Sequence, residues 1–85
     1  MTEIPDRLSL ADLASPQQFE VTAFDLPEQD VMRMKVLGIC TGRTIRLVQG
    51  GAPMIVEVDG ACIGVSRRLA AGVWVEIVPE KQDES

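Results

Sequence analysis

The side chains of this 85-residue chain best suited to bind a metal are Cys40, Cys62 and four methionines. Thiolates and thioethers are soft ligands, so together they would suit a carrier of a soft metal ion. The chain has no histidine, however, and neither cysteine lies in a local cluster of ligands. Because a structural zinc site takes four Cys or His side chains, we expect no metal site and no cofactor. A metal carrier is the weakest alternative function.

The composition also argues against catalysis. Without histidine the chain can form neither a Ser-His-Asp triad nor a His proton shuttle. A cysteine nucleophile would need another base, and no candidate base stands out. The glycines at Gly50-Gly51 and Gly60 have neither the spacing nor the strand-to-helix context of a phosphate-binding loop. We therefore expect that the chain is not an enzyme.

Contact with another protein is the chemistry that the remaining residues suit best. Met32 has a flexible, polarisable side chain, which adapts to varied partner surfaces. Trp74 is the only tryptophan and alternates with Val73 and Val75, so it should face away from the core if those valines face inward. An exposed Trp is a common interface anchor. The alternatives are purely structural roles: the methionines fill the core, and Trp74 packs under the N-terminal segment.

A helix that begins after Leu26-Pro27 and ends at Gly38 should position Met32. Proline is tolerated at the start of a helix, and acidic residues in the first turn suit the helix dipole. Apolar residues at 31, 34 and 37 share one face. At about 100° per residue, Met32 points away from that face.

Five segments alternate apolar and other residues and are predicted to be strands: residues 19–24, 44–49, 54–58, 61–65 and 73–78. Asp59-Gly60 between two of them is a strong signal for a tight hairpin. Short helical turns are predicted at 9–14, capped by Ser9, and at 67–71. The expected fold is mainly β: a small SH3-like, five-stranded, partly open barrel. Its short helix lies between strands 1 and 2, and a helical turn precedes strand 5.

The chain should form a single domain over residues 8–79, with flexible ends at 1–7 and 80–85. No apolar run is long enough to cross a bilayer, and the N-terminus lacks the features of a signal peptide. We therefore expect a cytoplasmic protein with two unlinked thiols and no direct insertion into a membrane.

Charge is distributed unevenly along the sequence. The net charge is −5, yet residues 31–78 carry six basic and three acidic side chains. Residues 1–30 carry seven acidic side chains against Arg7. An acidic chain is a poor ligand for nucleic acid, so we expect no nucleic-acid partner.

Several motifs in this order resemble the FeoA family of small cytosolic proteins. The resemblance covers about residues 8–78 and rests on element types and spacing as much as on single residues. The segments that carry it are Leu8-Ser9-Leu10-Ala11-Asp12-Leu13, Arg33-Met34-Lys35-Val36-Leu37-Gly38-Ile39 with Gly42, Pro53-Met54-Ile55-Val56-Glu57-Val58, Asp59-Gly60-Ala61-Cys62-Ile63-Gly64-Val65, and Arg67-Arg68-Leu69-Ala70-Ala71 with Val73-Trp74-Val75.

The resemblance implies an SH3-like barrel that assists the ferrous iron transporter FeoB through protein–protein contact on the cytoplasmic side. The partner-binding residues expected on this basis are Met32, Arg33, Lys35, Leu37 and Ile39. Trp74 is a sixth candidate, because it is expected to be exposed. In this interpretation Leu37 and Ile39 shape a cleft beside the exposed side of the helix. The same surface would also suit self-association.

Two further alternatives remain at this stage. One is the SH3-like module of a metal-dependent repressor, which would require an attached DNA-binding domain. The other is a generic peptide- or protein-binding barrel. Peptide grooves of that kind are rich in aromatic residues, and this chain offers only Phe19, Phe24 and Trp74.

Overall fold

A computed structural model describes residues 8–14 and 16–79 of the chain. The segments 1–7 and 80–85, expected to be flexible, lie outside these residues. The elements in chain order are β1 (Leu8–Ser9), a 3₁₀ turn (Leu10–Asp12), β2 (Gln17–Phe24), α1 (Glu28–Val36), β3 (Thr44–Gln49), β4 (Met54–Val58), β5 (Ala61–Val65), α2 (Arg67–Ala70) and β6 (Val73–Val78).

The described strands form one antiparallel sheet in the order β1-β6-β2-β3-β4-β5. The sheet is not closed, so the predicted mainly β, partly open SH3-like barrel is confirmed. All five predicted strands are present, but the count is six rather than five. The additional strand, β1, is only two residues long and pairs Leu8 with Val75 and Ser9 with Trp74. Two residues cannot show an alternating pattern, so periodicity could not reveal this strand.

The core is built from the inward faces of the strands together with one residue of each helix, one residue of the 3₁₀ turn, and Leu13 and Ile39 from the connections. Phe19 and Val21 of β2 are fully buried, as are Leu47 and Val56 on the neighbouring strands. Each such side chain contributes about 1.5–3 kcal/mol when it leaves water. Met34 is the buried residue of α1 that joins this core. The hydrophobic contact that fixes α1 on the barrel is therefore centred on Met34.

The predicted hairpin between β4 and β5 is also present. Asp59 has a φ of 52° and Gly60 a φ of 85°, as a type I′ turn requires at both central positions. The turn joins Val58 directly to Ala61 in the ladder. The turn is also held by Arg43, the residue before β3, since Arg43 Nη2 donates to Asp59 Oδ2 at 2.5 Å.

Candidate protein-binding surface

Helix α1 begins where the sequence predicts. Pro27 precedes its first residue, and the Pro27 carbonyl oxygen accepts hydrogen bonds from the backbone N–H groups of Asp30 and Val31. Glu28 and Asp30 lie in the first turn, where their charges favour the positive end of the helix dipole. The start of the helix is thus fixed by local chemistry.

The carboxylate of Asp30 is buried on the side of α1 that faces α2. Asp30 Oδ2 lies 3.7 Å from Arg68 Nη1, and the Asp30 side chain is only 10% exposed. Arg68 is largely exposed, so water screens the pair and limits its contribution to stability to below about 1 kcal/mol. The pair orients α1 relative to α2 more than it strengthens the fold.

The C-terminus of α1 forms a Schellman motif around Gly38. The N–H of Gly38 donates to Lys35 O, and the N–H of Ile39 donates to Met34 O, both at 2.9 Å. Gly38 has a φ of 95°, which a side chain would disfavour. These bonds end the helix at a fixed point and turn the chain back, so that Ile39 enters the core at 1% exposure.

Three large apolar side chains remain exposed along α1 and its C-terminal end. Met32 is 58% exposed, Val36 is 84% exposed and Leu37 is 40% exposed. Val36 follows Met32 by one helical turn, so the two lie on the same side of the helix. We call Met32, Val36 and Leu37 the helix patch.

Basic side chains flank the helix patch. Arg33 and Lys35 are both exposed and lie in the last turn of α1, where positive charge also suits the helix dipole. At the other end of the helix, Met32 lines an open, shallow groove together with Pro27, Glu28 and Gln29. The surface therefore runs from an acidic, grooved end to a basic, apolar end.

The structure places four of the six expected binding residues on α1 and its C-cap, namely Met32, Arg33, Lys35 and Leu37. Ile39 is buried in the core, so its side chain does not form part of the exposed surface. Sequence reasoning did not propose Val36, the most exposed of the patch residues. Its position one turn after Met32 was the signal that could have identified it.

Trp74 lies on a different element, in β6 opposite Ser9 of β1 and Ala23 of β2. Val73 and Val75 on either side of it are 0% and 3% exposed, so the predicted alternation of faces is confirmed. The Trp74 side chain is half-buried, and its carbonyl oxygen accepts a hydrogen bond from Thr22 Oγ1 at 3.2 Å.

The residues that could ligate a metal are dispersed. Cys40 and Cys62 are free thiols, the first half-buried after α1 and the second exposed on β5. Among the described residues, no group of three or more His, Cys, Asp or Glu side chains is arranged to hold a metal ion. Within the same residues, no helix is long and apolar enough to cross a membrane.

A comparison with models of known protein families assigns the chain to a family. The family model of the FeoA domain matches residues 8–77, which is most of the sequence. The chain belongs to the FeoA domain family. No curated protein matches it. Membership of this family supports an accessory role in iron transport.

Solved structures share the fold. A crystal structure of an iron uptake regulatory protein (FeoA) is 19% identical, with a TM-score of 0.77 over 85% of this chain and 97% of that chain. The solution structure of the FeoA protein from Chlorobium tepidum is 23% identical, with a TM-score of 0.77 over 88% and 74% of the two chains. A manganese-dependent transcriptional repressor is 18% identical, also with a TM-score of 0.77, over 88% of this FeoA domain but only 38% of the repressor.

Proposed function

We propose that this FeoA domain acts in the cytoplasm as an accessory protein of a FeoB-type ferrous iron transporter, and that it contacts the cytoplasmic part of the transporter through the helix patch. The observation that carries the proposal is a concentration of exposed apolar side chains. Of the five large hydrophobic side chains that are exposed among the described residues, the three of the helix patch lie on α1 and its C-terminal end. Membership of the FeoA family supports a component of ferrous iron transport as the partner.

The composition of the patch suits a protein partner. Burial of apolar surface contributes about 25 cal/mol per Å², and Met32 can adapt its shape to the surface that it meets. Arg33 and Lys35 at the basic end favour a partner surface with acidic side chains, which would speed association at low salt. Recognition thus combines an apolar centre with a charged border.

The test is a titration of the isotopically labelled chain with the isolated GTP-binding domain of the transporter from the same organism. We expect amide shifts concentrated in residues 31–43, together with a dissociation constant measurable by calorimetry. The absence of shifts at high-micromolar concentration would refute contact with the GTP-binding domain. The membrane part of the transporter, reconstituted in nanodiscs, would then be titrated in the same way.

A matched pair of variants separates the helix patch from general surface effects. Val36→Asp places a charge at the centre of the patch, and Val48→Asp makes the same change on β3, where the valine is 38% exposed. We expect Val36→Asp to raise the dissociation constant by at least about tenfold, the loss typical of one interface anchor. Val48→Asp should leave it unchanged. Equal effects of both variants, or none from a folded Val36→Asp, would contradict the proposal.

A further inference from the structure

Strand β5 is an edge of the sheet that lacks the usual protection against pairing. Within residues 8–14 and 16–79 it pairs only with β4. Its sequence, Ala61–Val65, contains no charged residue and no proline, and its register with β4 has no bulge. Natural proteins commonly block an exposed edge with one of these devices.

The direction of the backbone groups on β5 follows from the hairpin. In a two-residue turn the Val58 carbonyl accepts from the N–H of Ala61, so the backbone groups of Ala61 point toward β4. Hydrogen-bonding direction alternates along an antiparallel strand. The groups of Ile63 therefore also point toward β4, whereas the N–H and C=O of Cys62 and Gly64 point outward. Both of these residues are exposed.

We infer that β5 pairs with β5 of a second copy of this chain, antiparallel and centred on Ile63, to form a symmetric dimer. In this register Cys62 of each copy lies opposite Gly64 of the other. Across the dimer, Cys62 and Gly64 offer four outward N–H groups and four outward carbonyls. In this register each N–H donates to a carbonyl of the other copy, giving four hydrogen bonds. Centring the pair on Cys62 or on Gly64 would satisfy fewer of them. The interface is distinct from the helix patch on α1.

Charge complementarity supports the same register. The antiparallel arrangement brings the turn that carries Asp59 near the far end of β5 in the second copy, where Arg67 begins α2, and the two-fold axis repeats this approach. Asp59, which already pairs with Arg43 of its own copy, is 76% exposed and Arg67 is exposed, so both side chains are accessible to the second copy. Because a five-residue strand buries far less than the roughly 1,200 Å² of a standard interface, the dimer is weak and forms at high-micromolar concentration.

The native Cys62 provides a direct test of the register. The two Cys62 Cα atoms are about 9 Å apart in this pair, from a rise of about 3.4 Å per residue and about 5.5 Å between opposed residues. A disulfide needs Cα atoms closer than about 7 Å, so oxidation should not link the copies, whereas a short bismaleimide should. The experiment uses the full chain with Cys40→Ser, analysed by denaturing gel and by sedimentation equilibrium.

Two variants weaken the pair by different means. Gly64→Lys puts a charge on the edge, and the site has room, because a Cβ there would meet nothing nearer than Met54 O at 4.0 Å. Arg67→Glu sets a carboxylate against Asp59 of the second copy. We expect each to lower the cross-linked fraction at least about fivefold, because a lysine on an edge strand opposes pairing and because the carboxylate introduced by Arg67→Glu would repel Asp59. Arg33→Glu, the same charge reversal on α1, should leave cross-linking unchanged while it weakens binding to the transporter.

Each outcome of these experiments either supports or refutes the dimer and its register. Cross-linking that Gly64→Lys and Arg67→Glu both suppress, and Arg33→Glu does not, would establish the dimer. A chain that stays monomeric at millimolar concentration would overturn it, as would a dimer that Gly64→Lys leaves intact. Rapid disulfide formation by oxidation would place Cys62 opposite Cys62 and refute the register. None of these results depends on whether the transporter binds.

Discussion

The substitution Gly38→Ala tests how the helix that carries the binding patch is ended. Gly38 has a φ of 95°, and a Cβ at this position would lie 2.9 Å from Cγ1 of Val58. Gly42 offers a control in the next turn: its φ is 84°, but a Cβ there would meet nothing within 4 Å. The two glycines therefore share the backbone requirement and differ in the steric one.

The expected loss in the free energy of unfolding follows from the backbone cost and the steric cost. Placing an L-residue in the left-handed region costs about 1–2 kcal/mol, and alanine recovers part of this by restricting the unfolded chain. Gly42→Ala should therefore lower the free energy of unfolding by about 1 kcal/mol. Gly38→Ala adds the clash with Val58, a stiff branched side chain in the core, at about 1–2 kcal/mol. Its total is about 2–3 kcal/mol, or roughly 10–20 °C in Tm for a domain of this size.

Urea denaturation followed by far-UV circular dichroism measures the free energy of unfolding of both variants. A double-mutant cycle with Val58→Ala isolates the clash, because removing Cγ1 should make Gly38→Ala cost no more than Gly42→Ala. The reasoning fails if Gly38→Ala is no more destabilising than Gly42→Ala. It also fails if Val58→Ala does not reduce the difference between them.

Three further changes probe the rest of the fold by the same denaturation assay. Gly72→Ala should destabilise the chain by about 1–3 kcal/mol, because a Cβ there would collide with the Leu26 side chain and with the Asp25 carbonyl oxygen. Phe19→Ala removes the largest fully buried side chain and should cost about 3–5 kcal/mol, a large part of the stability of a marginally stable domain. Ser66→Ala deletes the oxygen that accepts the Leu69 N–H at 3.2 Å and should cost about 1 kcal/mol.

Each of these expectations has a result that would contradict it. Gly72→Ala at wild-type stability would mean that both the Leu26 side chain and the Asp25 carbonyl move aside without cost. A cooperative Phe19→Ala transition close to that of the wild type would place the energetic centre of the core elsewhere. An unchanged midpoint for Ser66→Ala would mean that water replaces the cap at no cost.

Local chemistry predicted most of the elements. Alternation gave the five longer strands, Asp59-Gly60 gave the hairpin and Gly38 gave the end of α1, because each depends on backbone preferences of a few adjacent residues. The two-residue strand β1 was beyond this reasoning. It exists only because β6 presents a free edge to Leu8 and Ser9.

The candidate surface was predictable in part. Helical spacing indicated that Met32 faces away from the core, since the 100° step between residues is a local property. The same spacing put Leu37 on the inner face, yet it is 40% exposed, because the helix ends at Val36 and the chain turns before Leu37 can pack. The burial of Ile39 likewise depends on the Schellman turn that directs it into the barrel.

The element types, the mainly β class and the absence of histidine chemistry were predictable, because they depend on composition and on short-range periodicity. The strand order, and with it the strand that is left as an edge, depends on long-range pairing and became known only from the fold. The sequence indicates no pairing role for Cys62 or Gly64. The dimer proposed for them depends on β5 ending the sheet, and that position is set by the pairing of β2 with both β3 and β6, which residues distant in sequence create together.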